Sequence, residues 1–319
     1  MGAILGIDTS NYTTSVAIMN EKGNLIAEAR KLLPVEEGER GLRQSEAVFK
    51  HIEHFPQVIK ELEFGGFKEE DLIKVVVSTR PRSDIDSYMP VFRVGESHAK
   101  SIAELWQVPI QEVSHQEGHL MAGLWSASGP KSRKFLAVHI SGGTTEILIV
   151  SRDDNTFKVD KLGAAVDLHA GQFVDRVGVA LGLNFPAGPD LEKLAQRGEE
   201  GAIIIPSSVD GYNISFSGPN SAAMRAIENN KKPADIALAV QSCIAKALEK
   251  VLRRSLKEQE INDILIVGGV AANNYLRMRL KKRLEHPAVG AKLFFADPKF
   301  SSDNAIGVAA LGLSSDIIF

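Results

Sequence analysis

The sequence predicts an α/β protein of two related lobes, each a mixed sheet flanked by helices, and three observations carry that expectation. Its 319 residues are 44% hydrophobic and 24% charged, a globular composition whose length favours two domains or lobes. Apolar runs of strand character alternate with helical periods along most of the chain. Displacing the sequence on itself by 131 positions also lays residues 6–18 over residues 137–149 without a gap, which marks an internal repeat.

Each repeat reads as a β-hairpin with a turn rich in hydroxyls or glycine. Thr9, Ser10 and Asn11 in the first, and Ser141, Gly142 and Gly143 in the second, are candidate phosphate contacts, because short side chains let backbone N–H groups and hydroxyls come close to phosphate oxygens. Residues 20–26 then read as a strand, 45–62 as a helix, 72–78 as a β-branched strand, 95–105 as a helix, 108–113 as a strand and 117–127 as a helix closing the first lobe. Helices over 171–181, 191–196 and 234–257 follow, and an apolar strand over 264–267 runs into Gly268, Gly269 and a helix over 270–284. Such a strand–glycine–helix junction suits a nucleotide lying against backbone. A strand over 292–295 and a helical stretch over 304–313 complete the order. The expected boundaries are 1–130 for the first lobe, with 304–319 packing back on it, and 131–303 for the second.

A net charge of −3 gives no overall attraction to nucleic acid or acidic membrane, so any such attraction falls to a local cluster. Arg277, Arg279, Lys281, Lys282 and Arg283 place five cations in seven residues on a helix with one basic face, a pattern that a solvated surface helix shares. No apolar run approaches the roughly 18 residues of a membrane span and no leader pattern opens the chain, which predicts a cytoplasmic protein. The one cysteine, Cys243, excludes an intramolecular disulfide and reads as a small buried residue of a helix.

The sharpest chemical signal is His115 with His119. Histidines at i and i+4 share one helix face and can bind a single metal ion. Glu117 does not stand where a zinc peptidase carries its general base. His51 and His54, on a charged helix, read as surface residues. Asp303 is a candidate third ligand, which would make a two-histidine, one-carboxylate set with open positions, and a helix N-cap explains it equally.

Seven ordered segments then match one family: His115 with His119; Ile140, Ser141, Gly142 and Gly143; Ala170, Gly171 and Asp175; Pro186, Gly188 and Pro189; 215–218; 268–273; and 302–305. Over nearly the whole chain they resemble the tRNA N6-adenosine threonylcarbamoyltransferases of the TsaD type, once described as O-sialoglycoprotein endopeptidases or glycoproteases. The resemblance implies the two-lobed actin, hexokinase and heat-shock-chaperone (ASKHA) fold, with nucleotide and metal in the cleft. It implies an acyltransferase, not a peptidase, moving a threonylcarbamoyl group from threonylcarbamoyl-AMP, made by a separate enzyme, to N6 of adenine in tRNA. It further implies one divalent metal, iron or zinc, on His115, His119 and Asp303. An adenine nucleotide, threonylcarbamoyl-AMP or ATP, would sit on Ile140, Ser141, Gly142, Gly143, Thr144, Asp175, Gly188 and Asn273. The implied partners are tRNA, with the basic cluster as its candidate contact, and proteins of a threonylcarbamoylation complex; no membrane is implied.

The chain departs from the family where an acceptor would be met. Tyr12 and Thr13 stand in place of two carboxylates, Thr79, Arg80, Pro81 and Arg82 replace a glycine-rich turn, Thr144 replaces a histidine, and Pro219 and Asn220 replace a Leu-Lys pair. It therefore resembles a divergent paralogue. Two further readings follow: the same chemistry on another acceptor, or a non-catalytic nucleotide-binding partner, against which the metal ligands argue.

Overall fold

The computed structural model describes residues 2–10, 12–34, 42–62, 71–82, 86–153, 156–300 and 304–313, and the chain divides into two compact units. The first holds Met1–Lys131, Arg152–Lys158 and Ser302–Phe319, the second Ser132–Ser151 and Val159–Ser301.

In the first unit β1 (Ala3–Asp8), β2 (Thr13–Asn20) and β3 (Leu25–Leu32) form an antiparallel meander. After α1 (Gln44–Glu61), β4 (Leu72–Arg80) pairs in parallel with β1. Helix α2 (Phe92–Trp106) leads to β5 (Ile110–Ser114), parallel to β4, and α3 (His115–Ala127) follows directly. The sheet order is β3-β2-β1-β4-β5.

The second unit repeats the plan. Strands β6 (Lys134–Ile140), β7 (Thr145–Asp153) and β8 (Thr156–Ala164), the adjoining ends of the last two falling in the Arg152–Lys158 part of the first unit, are followed by α4 (Ala170–Ala180), α5 (Gly188–Ala195), a small ribbon of β9 (Ser208–Asp210) and β10 (Asn213–Ser215), α6 (Ser217–Glu228) and α7 (Pro233–Gln259). Strand β11 (Asp263–Val267) runs parallel to β6 and to β12 (Lys292–Phe295), with α8 (Asn274–Leu284) between them in the chain. The order β12-β11-β6-β7-β8 is the first sheet's order again. The chain then supplies α9 (Ile306–Ala310) to the first unit, where it packs on α3 and β1.

The repeat extends to register. Asp8 faces Ser15 and Ile7 faces Val16 across the first hairpin, and 131 residues on, His139 faces Glu146 and Val138 faces Ile147 across the second. The same side-chain period reaches both cores: Leu5, Ile7 and Val16 are buried in the first, Leu136, Val138 and Ile147 in the second. Each such side chain contributes about 1.5–3 kcal/mol by leaving water, and a one-residue slip would turn the whole set outward. No helix among the described residues is long and apolar enough to cross a membrane.

Four expectations are corrected. The strand expected over 20–26 is a turn followed by β3: Asn20 Oδ1 accepts from the N–H groups of Lys22 and Asn24, both at 3.0 Å, an Asx turn that ends β2. The helix expected from 270 begins at Asn274, because Gly269–Ala272 forms a 3-10 turn and Asn273 caps α8, its Oδ1 accepting from Leu276 N–H at 2.9 Å. His51 and His54 are buried rather than on the surface; His51 Nδ1 lies 2.8 Å from Thr14 Oγ1, since the apolar face of α1 covers β2 and takes both rings with it. The last helix is capped at Ala305, with Asn304 Oδ1 accepting from Ile306 N–H at 3.0 Å, and Asp303 lies outside the described residues.

Candidate functional site

Two constellations arise, one in each unit. The first begins at the junction of β5 and α3. Ser114 accepts the Glu117 N–H at 3.2 Å while Glu117 Oε2 receives the Ser114 N–H at 2.7 Å, a capping box that fixes where α3 starts and commits Glu117 to structure. His115 and His119 follow on one face of that helix with their Nε2 atoms 2.9 Å apart and their rings edge to face.

On the other side of the His115 ring, Nδ1 lies 3.2 Å from Asp8 Oδ2. Asp8 is fully buried and also receives the hydroxyls of Ser10, at 2.6 Å, and of Ser78. Burial alone would raise its carboxyl, but the adjacent His115 ring, by its electrostatic attraction and hydrogen bond, together with the two hydroxyls, holds it below the ordinary 3.8. The chain re-enters beside it, Ala305 N–H donating to Ser15 Oγ at 2.8 Å, where Ser15 is the register partner of Asp8. Among the described residues no group of three or more His, Cys, Asp or Glu is placed to hold an ion, and Asp303 is outside them. The two ring nitrogens lie at hydrogen-bond distance from each other; at a metal–nitrogen length of ~2.0–2.1 Å two ligands at a right angle are about 2.9 Å apart and two at a tetrahedral angle about 3.4 Å, so the pair would hold a six-coordinate ion as it stands and open by about half an ångström for zinc.

Thr9 and Ser10, read from sequence as phosphate contacts, are buried. Thr9 Oγ1 donates to Val91 O and accepts from Gly95 N–H, both at 3.0 Å, and the Ser10 hydroxyl goes to Asp8. Both hydroxyls are thus engaged inside the unit, and Asn11 lies outside the described residues.

The second constellation gathers on the β6–β7 turn. Gly142 and Gly143 are exposed, with open space where side chains would stand, and Ser141 N–H closes the turn on Thr144 O at 2.8 Å. Helix α4 begins directly against it: Gly171 N–H donates to Ser141 O at 3.1 Å, and a Cβ at Gly171 would meet the Gly142 backbone at 2.6 Å. From β11, Gly268 adopts φ +100°, and a side chain there would strike the Ile140 carbonyl. Glycine is required at both positions, and together they bring the starts of α4 and of the Gly269–Ala272 turn to Ile140, Ser141 and Gly142.

Asp175, one turn after Gly171 on α4, accepts Ala187 N–H at 2.8 Å beside Gly188, the first residue of α5. Burial raises its carboxyl above the ordinary value, against that hydrogen bond. Asn273 has its oxygen engaged in capping α8, which leaves its Nδ2 as the group for a ligand. Sequence reasoning gives Asp167 no role: it stands too far ahead of α4 to cap it, the N-cap being His169, and its partners lie 48–50 residues away. It accepts from Ser215 Oγ at 2.5 Å and Phe216 N–H at 2.9 Å, so it ties β10 and the start of α6 to the segment leading into α4, and although partial desolvation acts to raise the exposed carboxyl, these hydrogen bonds lower it to about 2.

The basic face of α8 is smaller than its sequence suggests. Arg277 donates to the carbonyls of Ala271 at 2.7 Å and Ala296 at 2.6 Å. Arg279 and Arg283 lie 3.3 and 2.8 Å from the nearly buried Glu249 carboxylate. Lys281 and Lys282 are the exposed cations outside that network, Lys281 lying 5.7 Å from the Phe295 ring centre.

Residues 35–310 match the family model described as tRNA N6-adenosine threonylcarbamoyltransferase, TsaD. The tRNA N6-adenosine threonylcarbamoyltransferase of Thermosipho africanus (strain TCF52B) is 30% identical over 317 residues, covering 97% of this chain and 93% of that protein. Among solved structures, component A of the Acidaminococcus fermentans (R)-2-hydroxyglutaryl-CoA dehydratase superposes with a TM-score of 0.57 at 17% identity, covering 97% of each chain. A ROK family glucokinase from Streptomyces griseus, in complex with glucose and AMPPNP, does so with a TM-score of 0.53 at 14% identity, covering 97% of this chain and 99% of the other. At such identities these likenesses concern the fold, which is the actin, hexokinase and heat-shock-chaperone type.

Proposed function

This chain belongs to the tRNA N6-adenosine threonylcarbamoyltransferase family, and on that footing we propose that it transfers a threonylcarbamoyl group from threonylcarbamoyl-AMP to N6 of an adenine in tRNA. The observation that carries the proposal is the pair of Nε2 atoms 2.9 Å apart on one face of α3. In this reading His115, His119 and Asp303 hold a divalent ion, iron or zinc. Asp303 enters as the third ligand through the family resemblance of the 302–305 segment. A bound ion there supplies Lewis acidity to the acyl oxygen.

The chain's own residues position the donor. The turn from Ile140 to Thr144 receives the adenylate phosphate on backbone amides, with the start of α4 contributing its positive dipole end. Asp175 accepts from ribose hydroxyls, Gly188 leaves room at the start of α5, and Asn273 Nδ2 donates to the nucleotide. Orientation matters because an exocyclic adenine amine is a poor nucleophile, and fixing both reactants removes much of the entropic barrier. Lys281 and Lys282 contact tRNA phosphates, and proteins of a threonylcarbamoylation complex are the expected partners. The protein acts in the cytoplasm.

Tyr12 and the buried Thr13, where the family carries carboxylates, favour one alternative: the same transfer to a different acceptor. Nucleoside analysis by mass spectrometry separates the readings. Transfer RNA incubated with the protein, threonine, bicarbonate, ATP and an adenylate-forming enzyme should gain threonylcarbamoyladenosine. Transfer to a non-tRNA nucleophile added to the same mixture, with tRNA unmodified, would select the other acceptor, and transfer to neither would contradict catalysis.

A further inference from the structure

Asp8 is an unusual residue for its position. The other five residues of β1 are apolar or glycine, and Asp8 is fully buried at the strand's end. A lone carboxylate taken out of water is strongly unfavourable unless donors surround it. Here the donors come from three places: Ser10 in the hairpin turn, Ser78 on the neighbouring β4, and the ring of His115 at the first position of α3. The two hydroxyls fix the carboxylate, and the carboxylate meets the Nδ1 side of a ring whose Nε2 side faces His119.

We propose that Asp8 is a positioning residue for His115, holding its imidazole as the Nδ1–H tautomer so that Nε2 presents its lone pair toward His119 and the ion they share. The inference rests on the metal reading of the histidine pair. An ionised carboxylate can only accept a hydrogen bond, so the nitrogen facing it must carry the proton, and in a neutral imidazole the other nitrogen is then bare. Carboxylate-to-histidine contacts of this kind set ring orientation and basicity at metal sites. Ser10 and Ser78 act one step further out by restricting where the Asp8 oxygens point.

Long-range proton–nitrogen NMR on the metal-free wild-type protein tests this without any variant. With resonances assigned from their loss in His115→Ala, His115 should show a protonated Nδ1 and a bare Nε2 at neutral pH; the reverse tautomer would overturn the proposal. Zinc(II) titration against a competing chelator gives the second readout. Asp8→Asn should bind zinc(II) roughly 10–100-fold more weakly than wild type, with His115 redistributed between tautomers, whereas unchanged affinity and tautomer would overturn it. The double variant His115→Ala, His119→Ala keeps the two ideas apart. If it binds zinc(II) like wild type, the metal reading itself fails; if it loses zinc(II) while Asp8→Asn does not weaken, only the role of Asp8 fails. Should Asp8→Asn not fold, the wild-type tautomer decides.

Discussion

The β1–β2 and β6–β7 hairpins have one register and one place in their sheets, yet their turns differ in kind. In the first, every strand residue is buried, and the polar groups at the turn face inward: Ser10 donates to Asp8, Asp8 meets the His115 ring, and Thr9 bonds Val91 O and the Gly95 N–H at the start of α2. In the second, Gly142 and Gly143 are exposed and open, and polarity is left to the backbone. The position of Asp8 is occupied, 131 residues on, by His139. A duplicated backbone thus supports two devices: one hairpin orders charged and hydroxyl groups behind a histidine pair, and the other clears space at a helix start. The difference lies in a few turn residues, because the apolar alternation that fixes register is common to both.

The comparison can be broken at the second turn first. Gly268→Ala forces a side chain into the Ile140 carbonyl at φ +100°, so urea unfolding should show a loss of about 1–3 kcal/mol or more, and calorimetry should show adenine-nucleotide binding lost, with zinc(II) binding retained. Asp175→Ala is milder on the fold and should weaken nucleotide binding roughly ten- to a hundredfold, the value of a charge-assisted hydrogen bond; unchanged affinity in a calorimetric titration would make the residue purely structural.

Acid sharpens the contrast between the carboxylates. Asp167 is held at about 2 in the folded chain, so it contributes stability at pH above 3.8 that is lost as pH falls toward 2. Asp8, also lowered, acts in the same direction. Asp175 is raised by burial and acts oppositely, its folded form gaining stability as pH falls through its raised value. Asp167→Asn should therefore flatten the acid limb of a stability–pH curve measured by urea midpoints, and Asp175→Asn should not. Lys281→Glu with Lys282→Glu should lower the slope of log tRNA affinity against log salt by about 1 for each phosphate no longer neutralised, measured by filter binding; an unchanged slope would remove α8 from the RNA surface. The smallest effect concerns Cys243, whose thiol burial pushes up to about 12: it should resist a thiol reagent in the native protein and react on unfolding.

Local patterns made much of this legible. The 131-residue repeat, the histidines at i and i+4 and the glycine junctions all lie within short windows, and each corresponds to an element of the structure. What stayed hidden depends on pairs distant in sequence. Asp8 meets a ring 107 positions away, so its role could only be hinted at by a carboxylate ending an apolar strand. Glu249 takes up Arg279 and Arg283 from another helix, which shrinks a cationic face that composition alone makes large. His51 and His54 look solvated among charged neighbours, and only the packing of α1 on β2 buries them.

The division of labour between the two hairpins is tested most directly by one calorimetric matrix: zinc(II), and separately ATP in metal-free buffer, titrated into wild type, the His115→Ala, His119→Ala double variant, and Gly171→Val. The double variant should lose zinc(II), about one ion per chain in the wild type, and keep ATP. Gly171→Val, whose side chain would displace the Gly142 turn, should lose ATP and keep zinc(II). Zinc(II) bound undiminished by the double variant, or ATP by Gly171→Val, would contradict the assignment of the two sites.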